Sequence, residues 1–230
     1  MLSTALSALA LLAGAPSVRL PEYADAPFID YFAKAVQAEQ KEPQKALAML
    51  ELLVLSTPLD ITADYSGVPK NLREEYANAV ADAFGMWERA LRSDFPMRLV
   101  RKSSSAIRLS FASSIAGGEA NQKGEFYVTR RIQWGEAFRA GQIDGRFTIV
   151  KLATDDRYMT GKEIKHIVAH ELGHALGLAD SKFLDRIMGP VMLGNPFAQV
   201  TPEEIREVKE IRAAIKKEIS SVLEVVKTRK

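Results

Sequence analysis

Residues 166–181 read HIVAHELGHALGLADS and hold all three histidines of the chain. On a helix, positions four apart lie on one face, one turn apart, so His170 and His174 can present two imidazoles to a single ion. Zinc takes neutral imidazole nitrogen readily, and a hydrolytic zinc site needs three protein ligands plus an open position for water. To supply the third, the chain must turn back after the second histidine. Gly177 permits such a turn because it has no Cβ, and three residues later Asp180 offers an oxygen. Glu171, next to His170, points to the side of the ion. That suits a general base, which takes a proton from water and delivers it to a leaving amine. His166 lies one turn before His170 with no partner set of its own, so a supporting role is expected for it rather than ligation.

The rest of the composition narrows the chemistry. There is no cysteine, which excludes disulfides, thiolate metal sites and cysteine nucleophiles. The 230 residues are 47% hydrophobic and 26% charged, as in a globular chain long enough for one full domain and a small extension. A net charge of +2 gives no reason to expect a nucleic-acid or anionic-membrane partner. The opening run MLSTALSALALLAGAPS reads as a signal peptide over residues 1–17, and it is too short for a stable membrane span. Export to the periplasm or the medium is therefore expected, with a cytoplasmic location as the alternative.

The elements that must position these residues are legible in outline. Phe28, Tyr31, Phe32, Ala35 and Val36 recur at helical spacing and predict a helix over 28–41. Pro43 opens a second helix, through Leu47, Leu50 and Val54 to residue 55. Residues 56–70, STPLDITADYSGVPK, are rich in turn formers and read as a loop. This divides a helical N-terminal extension, 18–69, from a main domain, 70–230. A helix over 71–93 carries an apolar face of Leu72, Tyr76, Val80, Phe84, Trp87 and Leu91. Strands are predicted at 97–101, 106–112, 125–129 and 146–152. Thr160 and Glu163 form a capping-box pair that starts the histidine helix, and Gly177 is placed to end it. Thr201 and Pro202 start a last helix that runs through Ile205, Val208, Ile211, Ile215 and Ile219. The class is α+β.

His170 to Ser181, HELGHALGLADS, resembles the zinc-binding signature of the metzincin metalloproteases, the matrixins above all. Asp180 stands where the third ligand is usually histidine, as it does in the snapalysin branch. The resemblance covers about residues 70–216. It implies a twisted mixed sheet, a backing helix, an active-site helix, a methionine turn and a C-terminal helix. It also implies Zn2+ held by His170, His174 and Asp180, with Glu171 as the catalytic base. Met188 in FLDRIMGPVM would be the methionine beneath the ligands, in a packing role, and Pro190 and Met192 would form a wall of the substrate pocket. The activity implied is a zinc metalloendopeptidase acting on peptides or proteins, expected to be a monomer. An extended substrate would lie antiparallel to a sheet edge, for which RFTIVKL is the candidate. Two other readings stay open: a zinc-binding interaction module without catalysis, and a metal hydrolase of a non-peptide amide.

Overall fold

The computed structural model describes residues 18–102, 107–119, 121–134, 139–154, 157–197 and 199–228. The signal segment read over 1–17 lies outside the described residues.

The extension is the expected helical hairpin. Helices α1 (Ala26–Glu39) and α2 (Pro43–Val54) each carry proline in the first turn, where its fixed φ suits the helix and its missing N–H is not needed. Phe28, Phe32 and Ala35 of α1 and Ala46, Leu50, Leu53 and Val54 of α2 are buried and belong to the main hydrophobic core.

The loop read over 56–70 contains a strand. β1 (Leu59–Asp64) lies between β2 (Met97–Leu99) and β3 (Ile107–Ala112), parallel to both. The sheet thus begins ahead of the boundary read at residue 69. Next to β3, also parallel, is β5 (Arg139–Val150), and β4 (Gly124–Trp134) pairs antiparallel with β5 at the end of the order β2-β1-β3-β5-β4. RFTIVKL is therefore interior to the sheet over its 146–150 stretch, flanked by β3 and β4. The exposed edge on that side is β4, because the β4–β5 hairpin folds back outside β5.

In β3, buried Ile107, Leu109 and Phe111 alternate with Arg108 and Ser110, as expected of a strand with one face in the core. The Phe111 ring meets Tyr76 of α3 (Arg73–Leu91), with centroids 5.3 Å apart. A short antiparallel pair, β6 (Leu152–Thr154) and β7 (Arg157–Tyr158), leads into α4 (Gly161–Ala175). α3 backs α4, and the buried Trp87 indole donates to the Ala169 carbonyl at 2.8 Å. The last helix, α5 (Pro202–Thr228), runs beyond Ile219 and buries Val208, Ile211, Ile215 and Val222, with α2 packed on it. Helices backing a mixed sheet give the α+β architecture of a metzincin-like catalytic domain. Among the described residues no helix is long and apolar enough to cross a membrane.

Candidate active site

Two buried glutamates anchor the segment after the histidine helix. At the start of α4, Thr160 and Glu163 form the capping box: the Glu163 N–H donates to the Thr160 hydroxyl, and the Thr160 N–H donates to the Glu163 carboxylate at 2.7 Å. That carboxylate also receives the Arg157 guanidinium at 2.9 and 3.0 Å and the Gly194 N–H at 2.8 Å. Burial pushes the Glu163 pKa up, but the Arg157 bonds, the Thr160 and Gly194 amides and the Thr160 hydroxyl outweigh it and hold it at about 2. Glu204, in the first turn of α5, repeats the arrangement. It receives the Thr201 N–H at 2.8 Å and, on its other oxygen, the Met188 N–H at 2.8 Å.

Between these anchors the chain returns beneath α4 and orients its histidines. His170 Nδ1 lies 2.9 Å from the Ile187 carbonyl, and His174 Nδ1 lies 2.9 Å from the Leu178 carbonyl. A carbonyl can only accept, so each Nδ1 carries a proton, and in the neutral imidazole each Nε2 has its lone pair free for an ion. Both Nε2 atoms face one oxygen of Asp180, at 3.1 Å from His170 and 3.5 Å from His174. All three atoms lie within 4.8 Å of one another. A tetrahedral ion with ligands at about 2.0–2.1 Å sets them about 3.3–3.4 Å apart; the two histidine–carboxylate separations match this, and two imidazoles and a carboxylate are donors that suit zinc.

The electrostatics agree with a cation at this place. The His170 and His174 hydrogen bonds hold the Asp180 carboxyl well below the usual carboxylate range. Burial lowers the His174 pKa, but the bond to Asp180 and the charges of Glu171 and Asp180 carry it up to about 9. Glu171 is buried beside the histidines and accepts the Phe126 N–H of β4 at 2.9 Å. Burial pushes its carboxyl up against the pull of His170 and His174, which favours proton acceptance. Gly124 makes that position possible, since a Cβ there would stand 2.4 Å from the Glu171 carboxylate.

The open face is a cleft of about 850 Å³ lined by Asp25, Gly124, Phe126, Glu171, His174, Asp180 and Pro190, among others. Pro190 lines it, with Val191 and Leu193. Met192 is turned away, 47% exposed, in a separate hollow with Leu184, Pro196 and Phe197. Met188 is buried with its thioether against Gly173 of α4. His166 is buried, and its Nδ1 bonds the Phe197 carbonyl at 3.0 Å. Burial and the neighbouring His170 lower its pKa. Sequence reasoning missed Asp25, Gly124 and Phe126, which reach the cleft only through tertiary pairing. It found Glu163 as part of a helix start, but neither Glu163 nor Glu204 as an anchor of the loop.

The matrixin profile of peptidase family M10 matches residues 60–213. The chain belongs to the matrixin family. This matrixin is also similar to matrix metalloproteinase-19 of Mus musculus, with 37% identity over 60 residues, a stretch covering 26% of the chain and 11% of that relative. Matrixins are metalloproteases, and the family generally binds zinc. The match begins inside β1, so the family unit includes the strand that opens the sheet.

Proposed function

We propose that this matrixin is a zinc-dependent endopeptidase in which His170, His174 and Asp180 hold the metal and Glu171 is the general base. The observation that carries the reading is the clustering of two imidazole Nε2 atoms and a carboxylate oxygen in the cleft that Glu171 lines. Bound zinc supplies a Lewis acid that polarises a carbonyl and acidifies water. Glu171 takes the proton of the attacking water and returns it to the departing amine nitrogen. Its raised pKa suits both transfers, and the Phe126 amide fixes its orientation. β4, the edge strand, offers backbone groups to an extended peptide laid alongside it, which favours main-chain recognition of protein substrates. Pro190, Val191 and Leu193 give the cleft an apolar wall. Residues 1–17 fit export of such an enzyme.

The test is hydrolysis of a quenched peptide library by the purified protein, with Glu171→Ala beside it and zinc quantified in both. Wild type cuts, a chelator stops it, and the variant keeps zinc without activity. Zinc bound equally by both with no cleavage by either would favour the interaction module. Cleavage by Glu171→Ala at the wild-type rate would remove Glu171 from the mechanism.

A further inference from the structure

The segment ahead of α1 lies against the turn that precedes Asp180. Residues 23–25 run antiparallel to residues 177–179: the Ala179 N–H donates to the Tyr23 carbonyl at 3.0 Å, and the Asp25 N–H donates to the Gly177 carbonyl at 2.8 Å. Between these bonds Ala24 and Leu178 face each other, and both are buried. Gly177 has φ +99°, and the Phe28 ring is close enough that a Cβ on Gly177 would stand 3.1 Å from it. Ile211 of α5 would stand 3.3 Å from the same Cβ, and the Tyr23 hydroxyl donates to Glu210 of α5. The turn is thus held by residues 23–28 and α5.

The turn has two tasks at the site. The Leu178 carbonyl orients His174 through Nδ1, and Ala179 carries the chain into Asp180. The Asp180 side chain is 77% exposed, so little packing of its own restrains it, and its place depends on the backbone before it. A metal site tolerates misplacement of about 0.5 Å.

We propose that residues 23–28 are a positioning arm of the metal site. The arm fixes Leu178 and Asp180 for metal binding and is a permanent part of the site, not a segment whose departure would open it. The proposal rests on the reading of His170, His174 and Asp180 as zinc ligands.

Asp25 has φ −60°, and Ala24 before it is in an extended bridge, so Asp25→Pro fits the backbone and deletes the N–H that reaches Gly177. Asp25→Asn keeps the N–H and removes only the charge. The zinc affinity of both full-length variants and of Asp180→Ala is measured by chelator competition, with folding checked by circular dichroism. Asp25→Pro is expected to weaken zinc binding about tenfold or more, as loss of support behind a ligand does, and Asp25→Asn far less. Wild-type affinity in folded Asp25→Pro, with Asp180→Ala weakened, overturns the arm and leaves the ligand set standing. Wild-type affinity in Asp180→Ala overturns the ligand set itself. Equal losses in Asp25→Pro and Asp25→Asn assign the effect to the carboxylate and also overturn the arm. If Asp25→Pro does not fold, amide exchange in the wild type decides. The Asp25 and Ala179 amides should be protected together and slow further when zinc is added, and exchange at free-amide rates in zinc-loaded protein refutes the proposal.

Discussion

Glu163 gives the sharpest test of the energetics, because one buried carboxylate starts α4, holds Arg157 and ties down Gly194. Its pKa falls from the ordinary 4.5 to about 2 in the fold. At about 1.4 kcal/mol per unit, the ionised form contributes about 3 kcal/mol of stability. A depressed pKa gives stability that is fully present above the unfolded value of 4.5 and is lost as pH falls through the folded value of about 2. Glu163→Gln keeps an acceptor but turns an amide towards the guanidinium, so it should cost about 3 kcal/mol at pH 6, in the range for breaking a buried pair. At pH 3 linkage leaves about 1.4 kcal/mol of the difference, and near pH 2 less again. The assay is urea unfolding of wild type and variant across this range, both in chelator so that zinc release adds nothing. At pH 6 the variant should melt about 6–12 °C lower. A penalty that stays constant between pH 6 and pH 3, or one below about 1 kcal/mol at pH 6, would refute the account of Glu163 as an ionised anchor.

Gly124→Ala drives a Cβ into the Glu171 carboxylate, so peptidase activity should fall about 100-fold while zinc content is retained, checked by kinetics and metal analysis. Arg92 is exposed at φ 53°, a conformation that favours glycine, so Arg92→Gly should stabilise by about 1 kcal/mol and raise Tm by about 2–4 °C in a calorimetric scan. Zinc at about 100 times its Kd should stabilise the wild type by about 2.7 kcal/mol. Asp180→Ala should need a higher zinc concentration for the same thermal shift. Gly177→Ala should destabilise by about 1–3 kcal/mol, because alanine resists φ +99° and its methyl meets Phe28, as chemical denaturation would report.

What the sequence reveals follows the range of the interactions. The bounds of α4 are legible because Thr160, Glu163 and Gly177 act on their own neighbours, and the His170–His174 spacing is a property of any helix. The faces of α1, α2 and α3 are legible for the same reason, since Phe28, Leu50 and Trp87 sit in helical periods. β1 is hidden because DITAD lies among turn formers and becomes a strand only when β2 and β3 flank it. RFTIVKL has the alternation of a strand, but nothing in it says that β4 will cover its outer side. Met192 follows the apolar pattern of Pro190 and Val191, while the local turn of the chain points it elsewhere. Gly124 looks like any loop glycine until Glu171 is placed against it. The pairing of residues 23–25 with 177–179 leaves no trace in either segment, because backbone hydrogen bonds do not depend on side-chain type.

The grip on the turn at 177–179 also has a bearing on when the site can form. Its two sides come from opposite ends of the fold, and the Tyr23 bond to Glu210 joins residues 187 apart in sequence. A ribosome releases the N-terminal side first. The arm and the α1–α2 hairpin emerge long before there is an α5 to receive Tyr23 or to cover α2. Throughout that interval the histidines can lie on a finished α4 while the turn that carries Asp180 is held on one side only. The grip on the turn at 177–179 can thus be complete only after the helix containing Glu210 and Ile211 has been made and has docked.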